Sequence, residues 1–123
     1  MLPSLGVARL GHRCPLAKQY EDADGRCLFE EWFVDLHPPA AAKVTAAIIC
    51  MEHGSFSNVK AVGPGVFEYK IDFGPGYRIY FGKDGDGLLI LLGGGTKKKQ
   101  QRDINIANTR WHDYKRRKRQ GTI

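Results

Sequence analysis

The sequence predicts one α+β domain in which a helical hairpin lies on a sheet, with the elements in the order β-α-α-β-β-β-α. Two observations carry this. Between Leu28 and Met51 apolar residues recur at helical spacing, and from Val59 onward the period changes to two. The length, 123 residues, is close to the commonest size for a single domain. The domain is expected over residues 16–119 and ends in a basic helix. A loose leader, 1–15, mixes Pro, Gly and Arg without periodicity, and residues 120–123 form a short tail.

Residues 16–22 read as a first edge strand, followed by a turn at Asp24-Gly25. Leu28, Phe29, Trp32, Phe33 and Leu36 mark the first helix; Pro38-Pro39 stops it and can open the second at its first turn. In that second helix Val44, Ala47, Ile48 and Met51 form the apolar stripe, and Gly54 suits the position after the last turn. Val66 to Phe73 and Tyr77 to Phe81 alternate about Gly74-Pro75-Gly76, which predicts a β-hairpin. Leu88 to Leu92 is apolar at every position, as expected of a central strand covered on both faces, reached through the Asp84-Gly85-Asp86-Gly87 turn. After three glycines, Thr96 is a candidate N-cap, and Ile104, Ala107, Trp111 and Tyr114 define one side of the final helix.

Composition excludes several classes. With 42% hydrophobic and 26% charged residues the chain can build a core. No apolar run approaches the ~18 residues a membrane span needs, Leu88 to Leu92 being only five. No apolar signal-peptide segment precedes it, so a cytoplasmic location is expected. Cys14, Cys27 and Cys50 are odd in number and lack CxxC spacing, which points to reduced thiols rather than disulfides or zinc. His12, His37, His53 and His112 are scattered. The Gly93-Gly94-Gly95-Thr96-Lys97 segment lacks the Gly-Lys-Ser/Thr order of a phosphate loop, and Asp84 and Asp86 are not followed by further oxygen ligands for calcium. No metal site and no cofactor are expected.

Charge is localised. Lys97 to Arg119 holds ten Lys/Arg against Asp103 and Asp113, a net of +8; the whole chain is +6, which leaves −2 for the rest. Such a segment suggests a polyanionic partner. In the hairpin, a three-residue Gly-Pro-Gly loop would set Ile71 opposite Ile79 and Tyr69 opposite Phe81 on an apolar face, with Asp72 opposite Arg78 and Lys70 opposite Tyr80 on the other. The polar face would then display Lys70, Asp72, Arg78 and Tyr80 together. The plainer reading is an exposed Asp72–Arg78 ion pair covered by Tyr80, worth under about 1 kcal/mol. Lys97, Lys98 and Lys99 fall where a glycine-rich segment enters a helix, an end that disfavours cations unless an anion is bound. Three solvated lysines before a fraying helix would be the alternative.

Several segments together resemble a known family: Asn58-Val59-Lys60, Val66-Phe67-Glu68, Phe73-Gly74-Pro75-Gly76-Tyr77-Arg78-Ile79-Tyr80-Phe81, Leu91-Leu92-Gly93-Gly94-Gly95-Thr96-Lys97 and Gln101-Arg102-Asp103-Ile104. Over roughly residues 16–119 the chain resembles the HigB-like addiction-module killer proteins of the RelE/ParE toxin superfamily. The resemblance implies a RelE-like, microbial-RNase-like fold with two helices packed on an antiparallel sheet. It also implies a toxin of a type II toxin–antitoxin module, acting as a metal-independent mRNA endonuclease on the ribosome. Its partners would be a cognate antitoxin, expected to be a helix-turn-helix protein, together with ribosome and mRNA, with DNA reached only through the antitoxin complex. Lys70, Arg78 and Lys97 or Lys98 fall where that family places active-surface lysines and arginines. Asp72 stands where a second sheet lysine is expected, and Asp103-Ile104 about where a C-terminal tyrosine is, which leaves Tyr80 as the substitute.

The expected roles follow from metal-free RNA cleavage, which needs proton transfer at the 2′- and 5′-oxygens and cations around the phosphate. Arg78 would stabilise the phosphorane, Lys70 transfer a proton, and Tyr80 stack on or orient a base. Lys60, Lys97, Lys98 and Lys99 would hold the backbone. Lys115 to Arg119, beyond Trp111 and Tyr114, is expected to be a mobile, solvated run that adds affinity. Two other readings stand beside this one: a ParE-like inhibitor of DNA gyrase without nuclease activity, and a plain RNA-binding module.

Overall fold

The computed structural model describes residues 15–122, so the expected leader lies outside the described residues except for Pro15. The elements are β1 (Leu16–Gln19), α1 (Leu28–Val34), α2 (Pro38–Glu52), β2 (Val59–Gly63), β3 (Val66–Ile71), β4 (Tyr77–Asp84), β5 (Leu88–Thr96), a 3₁₀ turn (Lys97–Lys99) and α3 (Gln100–Arg119). The fold is α+β, as expected, but four strands rather than three follow the helical pair. Val59–Gly63 is the additional one; its side chains are half-buried or exposed, so it lacks the alternation that identifies a strand.

The five strands form one sheet in the order β1-β5-β4-β3-β2. It is mixed, not antiparallel throughout, because β1 pairs parallel with β5, Leu16 opposite Leu88. β5 is therefore second in the sheet and β4 is central. Its apolar run is nonetheless buried on both faces, since α1 and α2 cover one side and α3 the other. One core gathers Phe29, Val44, Met51, Ile79, Phe81 and Leu91, and the second Tyr20, Val66, Ile90, Leu92 and Trp111. A fully buried Val, Leu, Ile or Met side chain contributes about 1.5–3 kcal/mol, so α3 is a structural layer and not an appendage. No helix among the described residues is long and apolar enough to cross a membrane.

Local chemistry explains the helix ends. Pro38 occupies the first position of α2, and His37 Nδ1 accepts the Ala40 N–H at 3.1 Å. At the other end Gly54 takes φ 87°. Gly54 N donates to Met51 O and Ser55 N to Cys50 O, which satisfies two terminal carbonyls. Thr96 does not cap α3; the 3₁₀ turn intervenes, and the side chain of Thr96 makes no capping bond.

The hairpin departs from its expected register by two residues. Ile71 pairs with Tyr77, Lys70 with Arg78, Tyr69 with Ile79 and Glu68 with Tyr80. The loop is thus 72–76, and Asp72 falls outside the ladder. Gly74 and Gly76, at φ 55° and 82°, allow a wider turn in which Gly76 N donates to Phe73 O at 3.0 Å. A shift of two preserves parity, so the two faces keep their members while the cross-strand pairs change. In β5 a bulge at Leu92, opposite the step from Tyr80 to Phe81, reverses the alternation and turns the following glycines against the helices.

Candidate functional site

The expected cations divide into three groups. Lys70, Arg78 and Lys97 come together with Asp72, Phe73 and Gly76 around an open groove of ≈ 380 Å³ at the tip of the β3–β4 hairpin. Three features place them. Lys70 and Arg78 are opposite one another across the strands, and Lys97 follows β5, its N–H donating to Gly76 O at 2.9 Å. Lys98 and Lys99 are exposed on the 3₁₀ turn but do not line the groove. Lys60, on β2, points its ammonium toward Glu68, 3.8 Å away.

Arg78 is not the exposed fork that the sequence suggests. It is 5% exposed, its Nη1 donates to Gly76 O at 2.9 Å, and its Nε lies 3.5 Å from Glu68 Oε2 in an ion pair without a hydrogen bond at Nε. The expected Asp72–Arg78 pair does not form. Asp72 instead approaches Lys70 at 3.7 Å, and both side chains are largely exposed.

Glu68 is the residue that sequence reasoning missed. Only 1% exposed, it accepts from Gln100 Nε2 at 2.7 Å and faces Arg78 and Lys60, so one buried carboxylate organises groups from β2, β4 and the start of α3. The signal was available. Glu68 shares strand parity with Lys70, but the assumed three-residue loop placed Lys70 opposite Tyr80, the position Glu68 occupies.

Tyr80 does not reach the groove. It is 1% exposed beneath α3, and its hydroxyl has no hydrogen-bond partner among the described residues. Burial raises its pKa above the ordinary tyrosine value, with Glu68 and Asp103 adding to the effect, so it stays protonated. It is not placed to stack on a base in the groove.

The C-terminal run is also different from expectation. Helix α3 continues to Arg119, and its basic side chains are held: Arg116 and Arg117 pair with Asp113 at 2.6 and 2.9 Å, Arg117 also reaches Glu21 O, and Lys118 reaches Asp84. Tyr20 and Tyr114 donate to Asp113 and Asp84 respectively, each at 2.7 Å. The Tyr20 hydrogen bond, followed by those from Arg116 and Arg117, lowers the pKa of Asp113; Lys118 and then Tyr114 lower that of Asp84. Asp113 orders Arg116 and Arg117 from one turn away on the same helix, whereas Glu21 and Asp84 reach the run from far away in sequence.

Among the described residues no group of three or more His, Cys, Asp or Glu is placed to hold a metal ion. The groove can therefore offer ammonium and guanidinium groups to an anion, with no imidazole and a single exposed carboxylate. No family model matches the chain. An uncharacterized protein of Haemophilus influenzae is 41% identical over 80 residues, a match that spans 64% of this chain and 81% of that protein.

Proposed function

We propose that this chain, which belongs to the same family as that Haemophilus influenzae protein, is a RelE/ParE-type toxin that cleaves messenger RNA on the ribosome. The observation that carries the proposal is the convergence of Lys70, Arg78 and Lys97 on one open groove. The α+β layering, with α1 and α2 on one face of the sheet, supports a RelE-like fold for this reading. A cognate antitoxin and a cytoplasmic site of action belong to it.

Cleavage would proceed by attack of a ribose 2′-oxygen on the adjacent phosphorus, with departure of the 5′-oxygen. Lys97 and Lys70, both exposed, would contact the phosphate; the exposed Asp72 carboxylate would take the proton of the attacking 2′-hydroxyl, and Lys70 would deliver a proton to the leaving oxygen. Arg78 would supply fixed positive charge beneath it, oriented by Glu68 and Gly76. With no imidazole in the groove, the ribosome would supply much of the substrate orientation, a contribution of several kcal/mol in principle.

One observation favours the gyrase-inhibitor alternative: the Arg78 guanidinium is already engaged by Glu68 and Gly76. Pulse labelling after induction without antitoxin separates the two. The proposal expects protein synthesis to stop first, with mRNA cut; arrest of DNA synthesis while translation continues would refute it.

A further inference from the structure

Among the described residues the outer edge of β5 has no strand partner beyond Leu91, because β1 pairs only with Leu88 to Leu91. There α1 and α3 leave a second cavity, ≈ 180 Å³, over Gly93 and Gly94 and separate from the hairpin groove. Trp32 lines it from α1, Arg102, Asp103 and Arg110 from α3, and Tyr80 from the sheet. The glycines make this lining possible. A Cβ on Gly94 would lie 2.3 Å from the Trp32 ring, one on Gly93 2.7 Å from Arg110 Nη1, and one on neighbouring Gly95 2.0 Å from Asp103 Oδ2. An aromatic ring, a guanidinium and a carboxylate are therefore seated directly against the strand backbone.

Three polar features of this lining are unspent. The Tyr80 hydroxyl is buried without a hydrogen-bond partner among the described residues, a condition that costs about 1–3 kcal/mol. Arg110 donates to Leu92 O at 2.7 Å but forms no ion pair among the described residues. Asp103, with its side chain 11% exposed, has among the described residues only a 3.4 Å contact from its exposed neighbour Arg102. A phosphate here would meet the charge of Asp103, and an apolar ligand would strand three polar groups. A planar heterocycle with donors and acceptors along its edges suits both signs. Guanine offers two N–H groups to a carboxylate and its O6 and N7 to a guanidinium, whereas cytosine offers one donor group.

We infer that the cavity between α1 and α3 binds a single guanine base of an RNA strand, with Asp103 taking its donor edge, Arg110 and Arg102 its acceptor edge, and Trp32 its ring face. This rests on the proposed RNA substrate and names the base read beside the cleavage groove. Arg78, which lines the groove, and Tyr80, which lines the cavity, share one face of β4 two residues apart, about 7 Å of strand. Bases splayed from single strands are commonly read by such edge contacts and aromatic stacking.

Calorimetric titration of the full chain with the four ribonucleoside 5′-monophosphates tests it, since all four carry the same phosphate. Guanosine monophosphate should bind at least tenfold more tightly than the others, and excess inorganic phosphate should not abolish the preference. Asp103→Asn, with an unchanged melting temperature, should remove the preference; should that variant fold poorly, Arg102→Ala at an exposed position should weaken guanosine monophosphate binding selectively. Equal affinity for the four nucleotides, loss of the preference to phosphate, or a preference retained in both variants would overturn the inference. Lys70→Ala/Lys97→Ala should keep the preference while losing cleavage, so failure of the toxin reading and failure of the base pocket give different results.

Discussion

Replacing Arg78 with alanine tests whether its guanidinium serves the fold as well as the groove. The variant would leave the Glu68 carboxylate in place, 1% exposed, with Gln100 Nε2 at 2.7 Å and the Lys60 ammonium at 3.8 Å as its remaining partners. Removing one member of a buried pair typically costs 3–5 kcal/mol because the other charge is left uncompensated. The surviving contacts of Glu68 and the 3.5 Å separation of the pair place Arg78→Ala at the lower end, about 3 kcal/mol. At about 4 °C or more per kcal/mol for a domain of this size, the melting temperature should fall by roughly 12 °C. Replacing both residues with apolar ones of similar volume, Glu68→Leu with Arg78→Met, should recover most of that loss, because buried pairs and hydrophobic isosteres are often equivalent in stability. Urea unfolding of the wild type, the single variant and the double variant measures all three. An Arg78→Ala protein within about 1 kcal/mol of wild type would refute the argument that Glu68 depends on Arg78 for its charge compensation.

Three further outcomes follow from the same geometry. Lys70→Ala and Lys97→Ala, at exposed positions, should each change stability by no more than about 0.5 kcal/mol and yet lower single-turnover cleavage on programmed ribosomes by tenfold or more. Neutralising Lys97, Lys98 and Lys99 should flatten the dependence of RNA affinity on salt by up to about 0.7 per lost single-strand phosphate contact, and neutralising Arg116, Arg117 and Lys118 should flatten it less, because those three are already paired. Asp113 and Asp84 have depressed pKa values in the folded state, so the stability they contribute is present above the unfolded carboxylate value near 3.9 and is lost as pH falls through the folded value. Acid unfolding should therefore steepen below about pH 4, and the gap between wild type and Asp113→Asn should close there.

The parts of the fold legible in the sequence are those fixed by local chemistry. Pro38, the Val44–Met51 stripe and Gly54 define α2 because each acts within a turn or two of itself. Strand faces were equally legible, since a register error of two leaves parity intact: Ile71 and Ile79 face the α2 core and Lys70 and Arg78 face away, as expected. What was lost depends on long-range pairing. The parallel placement of β1 on β5 joins residues about seventy apart, and nothing in Leu16–Gln19 specifies its neighbour. At the site, Lys70, Arg78 and Lys97 line one groove, whereas Tyr80 lies away from it because α3, whose position on the sheet its apolar stripe does not reveal, covers that part of β4. That stripe, Ala107 and Trp111 above all, packs over the face on which Tyr80 lies and closes it to solvent.

The placement of α3 also divides the basic segment that first suggested a polyanion. A twenty-residue helix spans about 30 Å, so Arg119 stands roughly that distance from the 3₁₀ turn bearing Lys97, Lys98 and Lys99. At physiological ionic strength exposed charges are screened over about 8 Å, so the far end of α3 cannot act on a phosphate held in the hairpin groove. Asp113 and Asp84 further neutralise Arg116, Arg117 and Lys118, and Lys115 lies over the Trp111 ring at 5.8 Å. The charge that can bear on chemistry is therefore local: Lys97 from the turn, Lys70 from β3, and Arg78 from β4, with Glu68 fixing the last of them. The distal half of the helix instead serves the fold, by tying β1, the loop after it and the end of β4 through Tyr20, Glu21 and Asp84. Of this cationic stretch, Lys97 alone lines the groove, and the distal side chains Arg116, Arg117 and Lys118 are paired with carboxylates of the fold.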